Sequence, residues 1–270
     1  MHLEGRPGLL SRQVQRAGYA LGYSGKWHLG TDRQWTRWKT RNTPTLPRSV
    51  GFRGHDIPGH GNGGFATEPY REYLRRHGWS LKIDESYRGL GIYDTPIEAT
   101  VPYFLVENTI DLIRRFREQG RPWFIWHNFW GPHAPYFVPR AYYDMYADVE
   151  IEALANFEFA YRQTAGPHQG KIHPFAEKLT WKHWQAIIRH YYAFATFIDA
   201  QVGRLVDWLA SEGLLDDTAL LCTADHGETL GSHGGLTDKM FHHFEEIQRI
   251  PMIARIPGVT GVETGVETGA

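Results

Sequence analysis

Three short segments of this 270-residue chain place cations, imidazoles and a carboxylate beside glycine or proline in patterns suited to an oxyanion and a metal ion. In the first, Gly25-Lys26-Trp27-His28-Leu29-Gly30, an ammonium and an imidazole stand two residues apart. Alternate residues of extended backbone share a face, so Lys26 and His28 can converge on one tetrahedral anion while Trp27 turns into the wall. The competing reading is a solvated lysine and a structurally hydrogen-bonded histidine. The second segment is Gly131-Pro132-His133-Ala134-Pro135-Tyr136, where two prolines restrict the backbone around His133. Such a histidine can donate a hydrogen bond to an ester oxygen or leaving group, or it can be a turn residue satisfied by backbone. The third, Thr223-Ala224-Asp225-His226-Gly227-Glu228-Thr229, ends an apolar run with a metal-binding pair. A carboxylate suits hard divalent ions, and the imidazole beside it shifts the balance from Ca²⁺ toward Mn²⁺ or another borderline metal. Two ligands do not complete a site, and Asp225 could instead cap a following helix. Lys239 follows 14 residues later and either reaches the same anion or stays exposed. Cys222 lies inside the apolar run and reads as an inert packing residue.

These segments need elements to position them. Residues 9–17 carry apolar side chains at helical spacing with Gly18 as a stop, and residues 19–24 suit a strand. Residues 30–64, rich in Gly, Pro, Arg, Trp and His without a period, read as a long irregular excursion. Helices are predicted over 70–77 and 101–119, the second with Phe104, Leu105, Leu112, Ile113 and Phe116 as an apolar stripe and Gly120 at its end. Residues 123–129 read as a strand buried on both faces, followed by a loop over 130–139. The longest helical pattern spans 181–210, with Gly213 as a cap, and further buried strands are predicted over 218–224 and 250–256. Helices alternating with apolar strands indicate an α/β class with a mostly parallel or mixed central sheet flanked by helices. In such sheets chemistry gathers beyond the carboxyl ends of strands. All three segments lie at such ends.

Composition narrows the partners. With 29 Lys plus Arg against 30 Asp plus Glu, the net charge of -1 offers no global field for nucleic acid or an anionic membrane. One cysteine excludes an internal disulfide and any multi-cysteine metal site, and leaves the compartment open. Residues 1–8 lack the apolar core of a secretory signal, and no run approaches the roughly 18 apolar residues of a spanning helix. The apolar content suffices for one sizeable core, and residues 1–258 read as one large domain. The tail 259–270, with Val-Glu-Thr-Gly twice in succession, reads as frayed or cut off. No pattern bears on oligomeric state.

Taken in order, Gly-Lys-Trp-His-Leu-Gly, Pro-His-Ala-Pro-Tyr and Asp-His-Gly-Glu-Thr-Leu-Gly-Ser-His-Gly with a trailing lysine resemble the sulfatase family of the alkaline-phosphatase superfamily. Gly51-Phe52, the helix over 191–209 and Arg249-Ile250-Pro251 extend the likeness to most of residues 9–258. The resemblance implies hydrolysis of small-molecule or glycan sulfate esters. It implies that Lys26, His28, His133 and Lys239 contact the sulfate or its ester oxygen, with His133, Lys26 and His28 serving catalysis. It further implies that Asp225 and His226 ligate a divalent cation, calcium first, with manganese or another metal as the alternative. Two departures stand out. Leu21 occupies a position where the family's second signature has Ser or Thr. Upstream, the family's first strand with paired aspartates, and the Cys-or-Ser-x-Pro-x-Arg motif that matures to formylglycine, have no counterpart here. A domain lacking its first strand and C-terminal subdomain, inactive alone, is therefore expected. The alternatives are a phosphodiester or phosphonate monoester hydrolase of the same superfamily, and a non-catalytic remnant that binds anion or metal.

Overall fold

The structure is a computed structural model, and the residues described are 7–29, 46–55, 61–87, 89–158, 179–239 and 243–259. The chain divides into two compact units, Met1–Asp148 with Arg189–Leu205, and Val149–Ile188 with Val206–Ala270.

The first unit opens with α1 (Leu10–Arg16), which Gly18 ends at a φ of +92°, and β1 (Ala20–Gly25) follows at once. β1 is the middle strand of a three-stranded parallel sheet, between the two-residue β2 (Arg53–Gly54) and β5 (Trp123–Asn128). All six of its residues are buried. Between β2 and β5 come α2 (Glu68–His77), β3 (Ile83–Tyr87), β4 (Leu90–Tyr93) and α3 (Val101–Glu118). The predicted apolar stripe of α3 is buried as expected, and it lies on the sheet. Ser24 Oγ donates to the Leu105 carbonyl at 2.9 Å, and a Cβ on Gly22 would approach Phe116 and Leu112 to 3.2 and 3.3 Å. β6 (Tyr136–Pro139) and α4 (Arg140–Asp144) complete this part of the chain.

α5 (Trp181–Ser211) runs through both units. Within the first, Arg204 pins it to α3. Its guanidinium pairs with Glu107, donates to the Tyr103 carbonyl at 2.9 Å and lies 3.7 Å above the Tyr103 ring. The second unit adds β7 (Leu220–Thr223), the single turn α6 (Ser232–Gly235), α7 (Glu245–Gln248) and β8 (Met252–Arg255). β7 and β8 form an antiparallel ribbon.

The α/β class and the flanking helices agree with expectation, and three of the five described strand pairings are parallel. Several details differ. One central sheet was expected, whereas the described strands form sheets of three, three and two. β5 is half-buried instead of enclosed on both faces, because β1 takes the middle and leaves β5 at an edge. β7 is largely exposed, and with it Cys222, which is not a packing residue here. The mixed sheet β3-β4-β6 was not anticipated. β3 is polar because its face is exposed, and β6 hides between Pro135 and Pro139 in a stretch expected to be loop. A proline lacks the amide a central strand needs, and β6 tolerates Pro139 because it is an edge. Most of the expected excursion over 30–64, and the tail from residue 260, lie outside the described residues.

Candidate active site

In the first unit, Lys26 leaves the carboxyl end of β1 through a close backbone approach. Gly25 has a φ of +109°, and a Cβ there would stand 1.7 Å from the Asn128 carbonyl oxygen. Only glycine fits both conditions. The Lys26 amide donates to that same oxygen at 3.0 Å. The Lys26 carbonyl accepts from the Tyr23 hydroxyl and from Asn128 Nδ2 at 3.2 Å, and Nδ2 also reaches the Tyr23 oxygen at 2.6 Å. Tyr23 in turn stands edge-on to Trp27 and Phe52, with ring centroids 5.1 and 5.5 Å away. Trp27 is buried, as the alternation predicts. Lys26 and His28 do not share one environment, however: Lys26 is 7% exposed, whereas His28 is open to solvent. A desolvated ammonium favours an anion beside it.

β5 runs parallel to β1 with Gly25 opposite Asn128, so both carboxyl ends open on the same edge of the sheet. His133 sits in the loop that leaves β5 there. Trp130 anchors that loop in a buried cluster with Tyr70, Val101, Phe104 and Leu105. A Cβ on Gly131 would fall 2.3 Å from the Phe194 ring, and the peptide bonds before Pro132 and Pro135 are cis. His133 Nδ1 lies 2.8 Å from the Ala134 carbonyl. A carbonyl only accepts, so Nδ1 carries the proton and Nε2 the lone pair. The backbone contact belongs to the turn reading of His133 and occupies Nδ1. A crevice of about 10 Å³, room for one water, runs beside it between Phe65, Tyr93, Trp130 and Phe194.

In the second unit, β7 delivers Asp225 and His226. The carboxylate is well exposed and the imidazole mostly covered, with Asp225 Oδ1 and His226 Nε2 3.6 Å apart. His226 Nδ1 donates to the Gly227 carbonyl at 2.7 Å, which leaves the lone pair on Nε2. Oxygen and nitrogen at 3.6 Å are too far apart for a hydrogen bond, yet near enough for both to touch one cation at ligand distances of about 2.0–2.6 Å. This donor pair fits a divalent metal. Asp225 caps no helix, since α6 begins only at Ser232 with Gly231 as its N-cap. Among the described residues no group of three or more His, Cys, Asp or Glu side chains converges to hold a metal.

The loop beyond the pair is tightly built. Gly227 donates to the Ile247 carbonyl at 2.8 Å, and a Cβ on it would lie 1.8 Å from the Glu246 carbonyl oxygen. Leu230, His233 and Asp238 all have positive φ, and Gly231 packs on the buried Trp184. Burial, with the Asp238 carboxylate second, pushes the Glu228 carboxyl up to about 6. Lys239 is half-buried, and its Nζ lies 3.2 Å from Asp238 Oδ1. It is thus neither a solvated surface lysine nor committed solely to an external anion.

Lys26 and His133 follow β1 and β5, whose carboxyl ends open on one edge of the sheet in the first unit, while in the second Asp225 and His226 stand before α6 and Lys239 beyond it. Sequence reasoning did not find Tyr23 and Asn128, which fix Lys26, or Glu246 and His233, which brace the second loop. Only the glycines marked these places, at positions 25 and 227.

The sequence profile of the sulfatase family matches residues 4–265. The chain belongs to the sulfatase family. Among curated relatives of this sulfatase, the choline-sulfatase of Rhizobium meliloti is 27% identical over 264 residues, covering 92% of this chain and 47% of the relative. The N-acetylglucosamine-6-O-sulfatase of Bacteroides thetaiotaomicron is 34% identical over 115 residues, covering 43% and 20%. The phosphonate monoester hydrolase of Agrobacterium radiobacter shares the fold, with a TM-score of 0.68 at 24% identity over 95% of this chain and 54% of that one. The chain thus has an alkaline-phosphatase-like α/β fold and spans about half the length of the choline-sulfatase and of the phosphonate monoester hydrolase that it matches. Among its described residues, no helix is long and apolar enough to cross a membrane.

Proposed function

We propose that this sulfatase chain contributes the anion-holding and metal-holding parts of a sulfate monoester hydrolase, with a small-molecule or glycan alcohol as the leaving group. The observation that carries this is the Asp225–His226 pair, whose lone-pair nitrogen and carboxylate oxygen face each other at 3.6 Å. Asp225 and His226 hold a divalent cation, calcium or manganese, which supplies charge neutralisation for a sulfuryl group when bound. Lys26 supplies a desolvated positive charge to the sulfate. His28 and Lys239 add further cationic or hydrogen-bonding contacts. Lys239 does so by exchanging Asp238 for the anion. Because Nδ1 of His133 is committed to the Ala134 carbonyl, Nε2 donates to a leaving oxygen only when the ring is an imidazolium.

Turnover by the 270-residue chain alone should be negligible. Its one cysteine stands in Leu221-Cys222-Thr223-Ala224-Asp225, a context without the Pro and Arg of the formylglycine motif. The test is calorimetric titration of the purified chain with Mn²⁺ and Ca²⁺, then with inorganic sulfate, alongside an aryl sulfate assay. Metal binding lost in Asp225→Asn and sulfate binding lost in Lys26→Ala are expected, without turnover. Metal binding indifferent to Asp225→Asn, or metal-dependent aryl sulfate hydrolysis by the chain alone, would sink the reading in its respective part. The likeness to a phosphonate monoester hydrolase favours one second reading, a phosphonate or phosphodiester substrate. Phenylphosphonate binding tighter than sulfate would select it.

A further inference from the structure

The loop that carries the metal pair is braced from a distance, and the brace has a defined centre. The Glu246 carboxylate receives His233 Nε2 at 3.1 and 3.2 Å, one contact to each oxygen. Asn156 Nδ2 adds a longer contact at 3.5 Å. The Asn156 carbonyl accepts the Gly234 amide at 3.1 Å, so residue 156 meets both ends of the pair. His233 is stacked on Phe244, with centroids 3.8 Å apart and planes 13° from parallel. Its backbone is left-handed, at φ 53° and ψ 46°. A residue with a Cβ keeps that conformation only where its surroundings hold it, and here the carboxylate and the Phe244 ring do so.

The residue after Glu246 completes the connection. The Ile247 carbonyl accepts the Gly227 amide at 2.8 Å, directly after His226. The Glu246 carbonyl leaves no room for any Cβ at Gly227. One face of α7 thus grips the metal-pair loop by backbone at residue 227 and by side chain at residue 233. α7 therefore holds this stretch at two points, and the Glu246–His233 contact is the one a side-chain substitution removes.

We infer that Glu246 and His233 are positioning residues, which set the geometry of Asp225 and His226 without touching the cation. This rests on the reading of Asp225 and His226 as metal ligands. Partners hydrogen-bonded directly to a ligand change metal affinity by about 10- to 100-fold when removed, and Glu246 and His233, which act through the Gly227 backbone, belong at the lower end of that range. They also act as a unit, so their effects do not add.

The test uses the full 270-residue chain with Mn²⁺ alone, titrated by electron paramagnetic resonance, and amide hydrogen exchange of peptides spanning 223–230. Glu246→Ala and His233→Ala should each weaken Mn²⁺ binding about tenfold or more. The double variant should be no weaker than either single one. Exchange over 223–230 should quicken while that of α3 stays unchanged. Glu246→Gln, which keeps an oxygen for His233, should retain most of the affinity, and it carries the test if Glu246→Ala fails to fold. Should Asp225→Asn abolish binding while Glu246→Ala leaves both affinity and exchange unaltered, the inference falls and the metal reading stands. If the unaltered chain takes up no Mn²⁺, or Asp225→Asn changes nothing, the metal reading falls and this inference falls with it.

Discussion

Gly25→Ala tests whether the approach of β1 to Asn128 holds Lys26 in place. A Cβ at this position would lie 1.7 Å from the Asn128 oxygen, 2.7 Å from its carbonyl carbon and 3.3 Å from its Cα. All three are backbone atoms, so no side-chain rotation relieves the clash. Restoring ordinary contact requires the strand ends to part by about 1.5–2 Å, which breaks the Lys26 amide bond to Asn128. Left-handed strain, overpacking and one lost hydrogen bond together amount to about 3–5 kcal/mol. At a urea slope of about 2 kcal/mol/M, the midpoint falls by about 1.5–2.5 M. Gly18→Ala is the matched control, because Gly18 also has positive φ, +92°, yet its Cβ would meet nothing within 4 Å. It should lose only the conformational share, about 1–2 kcal/mol. Urea unfolding followed by tryptophan fluorescence, with sulfate titration of each variant, measures both. Equal losses in the two variants, or a Gly25→Ala loss below about 1 kcal/mol, would refute the close-approach argument.

Two further outcomes follow from the first unit and α5. Burial lowers the His127 imidazole to about 4, and burial with the Arg115 charge does the same to His55. Each folded value lies below the unfolded 6.5, so the unfolded chain binds protons first and stability falls as pH drops from about 6.5 toward 4. His127 alone accounts for at most about 3 kcal/mol of that loss, and urea midpoints at pH 7 and 4.5 should lie closer together in His127→Leu than in the unaltered chain. Gly203→Ala, inside α5 with nothing within 4 Å of the added carbon, should raise stability by about 0.5–1 kcal/mol, read as a higher urea midpoint.

The sequence showed its longest periodic elements well. The stripe of α3 and the 31-residue span of α5 were legible because one face of each is buried over many turns. Strand environment was less so. Trp123 to Trp126 and Leu220 to Cys222 are apolar runs, which signals burial on both faces, but an edge position is a property of neighbours that a single strand's residues do not encode. The residues proposed for the site, Lys26, His133, Asp225 and His226, stand where glycine and proline frame them in the sequence. Their supports were not legible. Tyr23 lies 105 positions from the Asn128 amide it meets, and Asn156 lies 90 from Glu246. Such pairings arise from topology, and no local spacing announces them. The split of Lys26 and His28 into covered and open surroundings likewise depends on what packs above β1, which alternation alone does not specify.

The exposed face of β7 gives the molecule a chemical handle. Cys222 is its one thiol and lies open, opposite Ile253 in the ribbon and three positions before Asp225. The 270 residues hold no second cysteine, so two copies of this 270-residue chain can be linked through Cys222, and reductant governs whether preparations stay unlinked. The same isolation makes labelling unambiguous. A nitroxide attached by maleimide goes on once in this chain, at a known place in the strand that leads to Asp225 and His226, and a paramagnetic ion, if those two residues hold one as proposed, would broaden its spectrum.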